Sequence, residues 1–399
     1  MQISLSENIL SFVSGFGIIQ AFLLAALIYF HPKSDKSISR FLAFYIVCLP
    51  VPMILPLLQH LFSWQSYIYL GPFTLLVGPA LYLYVRSFKE KITLKKAFPH
   101  FIIFFVYLFI VSYISTQLGS NLPHSKPMPA EVLHNPIAFL PMSLRSVQQL
   151  VYYFLARKTL LSYQQSIRQL YSETSKINLN WIKLLINGYL ALVFLTISLF
   201  SLLLRYTEYF TLFVLINAAV VTPYIYLAAF KGVTQPALWQ LPPGNTKENF
   251  QLEISATEKM IQQIVTDDKP KQKAPVVNDK LTDIVSRIII LMEDEKLYQE
   301  TELILQQLAA KLQIPNYQVS QALNEGMNKN FYDLINGYRV EEAKRLLLDP
   351  SNSNYTILSI GFEAGFNSKT TFNTVFKKFT GHTPTEYRAK QETPEMALA

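Results

Sequence analysis

Cysteine, charge and the common catalytic motifs are scarce in this sequence of 399 residues. Its 1 cysteine, Cys48, excludes an intrachain disulfide and a cysteine-based metal site. Charged residues make up 16% of the chain, against 51% hydrophobic residues. The sequence has no GxxxxGK[ST] phosphate loop and no HExxH zinc motif, and its 6 histidines are scattered. We therefore expect no catalytic residue, no metal and no cofactor.

Acidic residues are rarest in the first 231 residues, which hold 17 Lys and Arg against 6 Asp and Glu. From Asp279 onward the balance reverses, with 13 basic against 16 acidic residues. The formal charge of +8 therefore belongs to the first part and is no evidence of a nucleic-acid surface. None of the long apolar stretches has Asp or Glu in its middle, which disfavours an ion-coupled transporter, because such proteins usually need a carboxylate within the membrane.

Seven apolar stretches approach or exceed the roughly 18 residues that predict a membrane-spanning helix. They cover residues 9–30, 38–61, 67–88, 98–116, 137–155, 181–204 and 210–230. Lys and Arg concentrate in the first, third and fifth loops between them, so these loops are predicted to be cytoplasmic, with the N-terminus outside. The first stretch is expected to be retained, since no basic residue precedes it as in a signal peptide.

The fifth stretch is the most polar because it contains Arg145, Gln148 and Gln149, with Tyr152 at helical spacing. A charged group within a span costs at least ~2.5 kcal/mol unless it faces protein or water. Two interpretations stay open for Arg145. It extends to the outer interface or binds backbone carbonyls, or it contacts a signal ligand together with Gln148, Gln149 and Tyr152.

The domain organisation follows from the change in composition. Residues 1–232 form the predicted seven-span membrane domain, and residues 233–279 form a polar, cytoplasmic linker with a Pro242-Pro243-Gly244 turn. Residues 280–390 form a soluble helical domain, and residues 391–399 a disordered tail. The predicted fold class is all-α: a seven-helix transmembrane bundle, followed by a domain with two helix-turn-helix units joined by a long helix.

The first helix-turn-helix pattern has a helix at residues 303–311, a turn at 312–314 and a second helix that Pro315 opens. Val319, Ala322 and Leu323 lie on the apolar face of that second helix. Its other face is the candidate DNA-reading surface. The residues there are Tyr317, Gln318, Gln321 and Asn324.

The second pattern has a helix at residues 357–364, a turn at 365–367 and a helix capped by Ser368. Its aromatic stripe of Phe372, Phe376 and Phe379 is predicted to be core because these residues recur at helical spacing. The opposite face and its flanks are predicted to read DNA. The residues there are Lys369, Thr370, Thr371, Thr374, Lys377 and Lys378.

A helix at residues 331–348 separates the two units, and its 18 residues extend over about 27 Å at 1.5 Å per residue. This length is comparable to the spacing of roughly 34 Å between successive major grooves on one face of DNA. One chain could thus present two reading helices to adjacent grooves. Arg339 in this helix has two interpretations, a structural ion pair or a phosphate contact.

The segment from about Leu303 to Arg388 resembles the AraC/XylS family of transcription regulators. The resemblance rests on Leu308-Ala309, Phe331, the run RVEEAKRLLL at 339–348 and the run ILSIGFEAGFNSKTTFNTVFKKFTGHTPTEYR at 357–388. Two positions where the family usually has glycine hold Gln313 and Asn328 instead. The resemblance implies sequence-specific promoter binding. The base-contacting positions it implies are Tyr317, Gln318, Gln321, Lys369, Thr370 and Thr374.

The first part resembles, more weakly, the seven-span sensors fused to AraC-type domains in Bacteroidetes-like bacteria, through the run GPALY at 78–82 and Pro99-His100. The leading hypothesis is a one-component transcription regulator in the bacterial inner membrane, with its C-terminal domain in the cytoplasm. The alternatives are a transporter or channel with a regulatory DNA-binding tail, and a membrane-sequestered factor released by proteolysis. The expected partners are double-stranded promoter DNA, the lipid bilayer, a signal ligand of unknown identity, RNA polymerase and a second copy of the chain. The inducing signal, the target genes and the sign of regulation do not follow from the sequence.

Overall fold

A computed structural model describes residues 5–32, 35–53, 71–118, 136–175, 177–203, 206, 209–234, 251–257, 259 and 279–392. These residues are almost entirely helical, and the described part contains no β-strand, only one isolated bridge between Tyr171 and Ile304. The all-α fold class is therefore confirmed. The chain forms two compact units, Met1–Ser162 with Leu179–Ser255, and Tyr163–Asn178 with Ala256–Ala399.

Long helices make up the first unit. Their bounds are α1 Leu5–Phe30, α2 Lys36–Cys48, α3 Val77–Ser87, α4 Ile102–Leu118, α5 Pro136–Leu170, α6 Asn180–Leu203 and α7 Phe210–Thr234. Helix α1 packs on α2 and α7, α2 also packs on α3, and α6 packs on α7. The last two turns of α5, from Tyr163, belong to the second unit.

Hydrogen bonds of two tyrosine hydroxyls join three helices inside the first unit. The hydroxyls of Tyr45 and Tyr224 lie 2.6 Å apart, and the Tyr224 hydroxyl donates to the Leu185 carbonyl at 2.7 Å. Both tyrosines are buried. These bonds link α2, α7 and α6 at fixed points of their contact.

Large apolar side chains cover the outer faces of the first unit. Phe12 on α1 is 74% exposed and Phe109 on α4 is 73% exposed. Among the described residues, four helices are long and apolar enough to cross a membrane: Phe12–Phe30, Lys36–Met53, Asn180–Leu202 and Leu212–Thr234. They correspond to the first, second, sixth and seventh predicted spans.

The other three predicted spans are not supported by the same criterion. In the third, the described residues form a short 3₁₀ helix, Gly71–Leu76, followed directly by the 11-residue α3. In the fourth, α4 has 17 residues. Helix α5 has 35 residues, but polar groups such as Arg145 interrupt its apolar part. The count of seven stays a prediction, since residues 54–70 and 119–135 lie outside the described residues.

The second unit contains both predicted helix-turn-helix patterns. Its helices are α8 Asp279–Glu293, α9 Leu305–Leu312, α10 Asn316–Gln321, α11 Phe331–Leu348, α12 Ile357–Glu363, α13 Lys369–Thr380 and α14 Pro384–Glu392. Helix α11 has the predicted bounds. Residues 393–399 and most of the predicted linker at 233–279 lie outside the described residues.

Turns and caps set the bounds of these helices. Gln313 takes a left-handed conformation (φ 56°) between α9 and α10, and Asn328 does so (φ 50°) before α11. Asn330 accepts a hydrogen bond from the Asp333 N–H at 2.8 Å, and Ser368 accepts one from the Thr371 N–H at 3.2 Å. These side chains satisfy N–H groups that have no partner within the helix.

An aromatic core joins α11, α12 and α13 in the second unit, and Phe366, Phe372 and Phe376 are fully buried there. The prediction that Phe379 belongs to this core was wrong, because its side chain is 41% exposed. Phe379 lies in the last turn of α13, where the Lys378 ammonium is 5.2 Å from the centre of its ring.

Candidate nucleic-acid interface

Helix α10 presents the first set of predicted reading residues. Tyr317 is 58% exposed, whereas Gln318 and Gln321 are half-buried. The Gln318 amide donates to the Tyr317 hydroxyl at 3.0 Å, and the Gln321 amide donates to the Glu325 carboxylate at 3.0 Å. These two bonds involve exposed side-chain groups, which exchange partners at little cost because water replaces them.

Asn324 occupies a different environment. The chain widens into a π-helical turn at Ala322–Gly326, and Asn324 lies within it, half-buried. Its amide nitrogen donates to the Ser320 carbonyl at 2.8 Å, and its amide oxygen accepts from Gln169 Nε2 at 3.0 Å. Asn324 is thus hydrogen-bonded to a residue of the segment Tyr163–Asn178.

Helix α13 presents the second set. Lys369, Thr370 and Thr374 are exposed, in the first two turns after the Ser368 cap. The N-terminus of a helix carries partial positive charge and unpaired N–H groups, which favour a phosphate. Lysine and threonine side chains at that end can therefore contact both base edges and phosphates.

The two lysines near the C-terminal end of α13 are both exposed but differ in their surroundings. Lys378 Nζ lies 2.7 Å from a carboxylate oxygen of Asp333 and 5.7 Å from the centre of the Tyr332 ring. No ion pair of Lys377 is recorded among the described residues. Lys377 is therefore the better placed of the two to neutralise a phosphate.

Thr371 is the least accessible of the predicted reading residues, with 7% of its surface exposed. Its hydroxyl accepts a hydrogen bond from the Ser368 hydroxyl at 3.0 Å and lies 3.5 Å from a carboxylate oxygen of Glu173. Like Asn324, it contacts the segment Tyr163–Asn178.

Arg339 is fully buried under the first helix-turn-helix unit. Its guanidinium donates to the backbone carbonyls of Tyr298 at 2.8 Å and Glu300 at 2.7 Å. Burial lowers the pKa of Arg339 to about 10, so the group stays charged at neutral pH. Arg339 is therefore structural, but the predicted ion pair is not observed among the described residues, because its guanidinium donates to carbonyls and not to a carboxylate. A phosphate could not reach it without opening the domain.

The candidate sensing residues lie in the first unit, apart from the reading residues. The Gln148 amide is buried and donates to the Leu75 carbonyl at 3.1 Å, and the buried Tyr152 hydroxyl lies 3.1 Å from His100 Nδ1. Gln149 and Arg145 are half-buried. Arg145 Nε and Gln148 Oε1 are buried and, among the described residues, have no hydrogen-bond partner. No group of three or more potential metal ligands occurs in the described part of the chain.

Comparison with known proteins places a helix-turn-helix match on the second unit. The sequence model of the family described as "Helix-turn-helix domain" matches residues 308–390. An HTH-type transcriptional regulator of Staphylococcus aureus (strain COL) is 36% identical over 70 residues, which cover 18% of this chain and 9% of that protein. Another, encoded in the cgkA 5′ region of Pseudoalteromonas carrageenovora, is 38% identical over 61 residues, or 15% of this chain and 34% of that protein. No solved structure matches the chain.

The family match begins within α9 and ends within α14. Together with the two relatives it supports transcription regulation through DNA binding. The family match covers no residue of the first unit. The sequence did not reveal that the segment Tyr163–Asn178 contacts Asn324 and Thr371. In the sequence this segment lies between the fifth and sixth predicted spans. One signal was present: Glu173 is the single acidic residue between Glu131 and Glu208.

Proposed function

We propose that the chain is a membrane-bound, one-component transcription regulator. Its second unit binds promoter DNA through α10 and α13, and its first unit anchors it in the bacterial inner membrane and receives the signal. The observation that carries the DNA-binding part is the exposure of Lys369, Thr370 and Thr374 on a capped helix within the matched segment. Four helices of sufficient length and apolarity support the anchoring part.

The electrostatics of the second unit limit how it binds. It is net acidic from Asp279 onward, and the exposed face of α10 carries no Lys or Arg. Since phosphate neutralisation dominates affinity for DNA, one copy of the unit is expected to bind weakly. A homodimer that binds two half-sites would raise the affinity by linking two weak contacts.

The test replaces Lys369 and Thr374 with alanine in the full-length protein, purified in detergent micelles. The probe is the duplex that the wild-type protein enriches most from a random-sequence library. We expect the double variant to bind at least about 30-fold more weakly, because each base contact contributes about 1–3 kcal/mol. The matched control is Lys280→Ala with Thr385→Ala, which removes the same residue types from exposed positions on α8 and α14. Equal affinities of the two double variants would contradict the assignment of α13 as a reading helix.

The proposed input is a signal ligand that contacts Arg145, with Gln148, Gln149 and Tyr152 beside it. The buried Nε of Arg145, which has no partner among the described residues, supports this assignment, because an unpaired buried donor is costly until a ligand satisfies it. In a reporter strain under an inducing condition found by screening, Arg145→Leu is expected to abolish the response at unchanged protein level. Exposed Leu144, replaced with alanine, is the control. Full induction of the Arg145→Leu strain would contradict the ligand contact.

A further inference from the structure

The segment Tyr163–Asn178, here named the strap, closes on itself. It contains the last two turns of α5 and an irregular stretch up to Asn178. The Tyr163 hydroxyl donates to the Ile177 carbonyl at 2.9 Å, and the Gln164 amide donates to the Asn178 carbonyl at 2.5 Å. The two ends of the strap are thus tied together, and it belongs to the same compact unit as the helix-turn-helix domain.

The strap contacts the first helix-turn-helix unit through backbone and side chains. The Ser172 N–H and hydroxyl both donate to the Leu303 carbonyl, at 3.2 and 2.7 Å, and Tyr171 forms an antiparallel bridge with Ile304. Gln169 and Asn324 exchange two amide hydrogen bonds, of 3.0 and 3.3 Å. A reciprocal amide pair satisfies a donor and an acceptor on each side, so it is specific to this docked arrangement.

The strap also contacts α11 and the second helix-turn-helix unit. The Asn336 amide donates to the Ser172 carbonyl at 2.9 Å, and Arg168 lies 5.7 Å from the centre of the Tyr332 ring. One carboxylate oxygen of Glu173 accepts from the Ser175 N–H within the strap at 2.7 Å. The same oxygen lies 3.5 Å from the hydroxyl of Thr371, in the first turn of α13. The strap therefore contacts both helix-turn-helix units and α11, the helix between them.

The polar groups of the strap that contact the helix-turn-helix units are buried. Ser172 is 0% exposed and Gln169 is 6% exposed, so their polar groups depend on partners within the unit. A buried polar group that loses its partner costs about 1–3 kcal/mol unless water reaches it. The strap is therefore expected to be either fully docked or released, with no stable half-docked state.

We propose that the strap is an autoinhibitory element that competes with DNA. In the docked state the Gln169 amide pairs with the Asn324 amide, and the Glu173 carboxylate lies 3.5 Å from the Thr371 hydroxyl in the first turn of α13. A helix N-terminus favours an anion, and the carboxylate there takes the place of a DNA phosphate and repels others. This inference rests on the proposed function, since Asn324 and Thr371 are predicted DNA contacts.

The chain connectivity of the strap suggests how a signal releases it. Residue 163 continues α5 without a break, and Asn180, two residues after the strap, begins α6, whose residues Asn180–Leu202 are a candidate membrane span. A change in the packing of α5 or α6 would move both ends of the strap. A signal ligand shifts this equilibrium only if it binds the docked and released states unequally.

The first test releases the strap in the full-length protein with Gln169→Ala and Glu173→Gln. The control is Gln165→Ala with Ser175→Ala, which changes two exposed strap residues. With the library-selected duplex as probe, we expect the release variant to bind about tenfold more tightly than the control, because it loses about two net hydrogen bonds of docking. Equal or weaker binding by the release variant overturns the autoinhibitory role.

The second test locks the strap and does not depend on a destabilising change. Gln169→Cys with Asn324→Cys is joined by a short bismaleimide cross-linker; the native Cys48 is buried. The cross-linked protein is expected to bind the duplex at least about tenfold more weakly than each single-cysteine variant capped with N-ethylmaleimide. Unchanged binding after cross-linking overturns the inference and leaves the proposed function intact. Absence of binding by every form, wild type included, overturns the proposed function as well.

Discussion

Arg339 is the largest fully buried side chain of the described part, and it sits where three segments meet. Its guanidinium donates to carbonyls of the residues just before α9, and one nitrogen lies 3.4 Å from the Ser172 hydroxyl of the strap. A planar group with five donors can satisfy several carbonyls at once, whereas an ammonium acts as a point charge. Arg339 therefore fixes the position of α9 relative to α11.

Replacing Arg339 with lysine is expected to destabilise the second unit by about 2–4 kcal/mol, because carbonyls lose their donors while a buried charge remains. Hydrogen exchange of the peptides covering α9 and α11 in the full-length protein measures the effect. Arg345→Lys is the control, since Arg345 is exposed and pairs with Glu342 on the same helix. Equal protection in the two variants would show that the carbonyl contacts of Arg339 contribute little.

Lys377 and Lys378 allow a test of phosphate contacts at the level of single charges. Affinity falls as salt rises, so the slope of log affinity against log salt is negative. We expect Lys377→Ala to reduce the magnitude of this slope by about 1, since each phosphate contact releases about 0.9 counterions. Lys378→Ala is expected to change the slope less, because Lys378 is paired with Asp333. Titrations of the selected duplex at several salt concentrations measure both slopes, and a larger change for Lys378→Ala would contradict the role assigned to the Asp333 pair.

Single residues also show how far a sequence can be interpreted. Ser368 is confirmed as a helix cap, because capping depends on local backbone chemistry. Accessibility was less predictable. A helical wheel ranks Asn324 and Thr371 as outward or flanking, yet both contact the strap, which lies more than 150 residues away in the chain.

At the scale of elements, periodicity and turn residues identified α9 to α13 within a few residues. The predicted helix at 303–311 is observed as Leu305–Leu312, and the one at 357–364 as Ile357–Glu363. The π-helical turn at Ala322–Gly326 was not predicted, since apolar spacing does not distinguish it from an α-helical turn. Apolar length likewise did not distinguish the 3₁₀ helix Gly71–Leu76 from the 11-residue α3 that follows it in the third predicted span.

The turn between α12 and α13 depends on Gly365, which has φ +93° and lies against the backbone of Tyr298 and Gln299. A Cβ there would be 2.7 Å from the Tyr298 carbonyl oxygen and 2.8 Å from Gln299 Cα. Gly381 at the end of α13 also has positive φ (+80°), but a Cβ there would have no neighbour within 4 Å. Replacing either glycine with alanine therefore has the cost of a left-handed conformation. Only the replacement of Gly365 adds a steric clash.

Gly381→Ala is expected to destabilise the second unit by about 1–2 kcal/mol, the cost of the left-handed conformation alone. Gly365→Ala is expected to cost at least about 2 kcal/mol more, because backbone atoms cannot move aside as flexible side chains do. Denaturant unfolding of the full-length protein in micelles, followed by hydrogen exchange of α12 and α13, compares the two variants. Similar losses would mean that the segment at residues 298–299 yields to the added methyl group.

At the scale of the whole molecule, the division into two units only partly follows the change in composition. The sequence marks the polar region after residue 232 and the helix-turn-helix domain, since both are continuous in the chain. It does not mark the strap, whose bonds to Leu303 and Arg339 link residues 131 and 167 positions apart. Such contacts depend on the folded arrangement, and one sequence carries no covariation from which to infer them.

The proposed function requires the second unit to face the cytoplasm, where DNA is. Lys and Arg in the odd loops predict this orientation. With a membrane-impermeant maleimide on intact spheroplasts, we expect labelling of Lys126→Cys in the predicted outer loop, which lies outside the described residues. Lys91→Cys and Thr385→Cys should be labelled only after permeabilisation, because the bilayer excludes the charged reagent. The native Cys48 is buried and provides the background. Labelling of Thr385→Cys in intact spheroplasts would mean that the membrane separates α13 from the chromosome. Regulation by direct DNA binding would then be physically impossible.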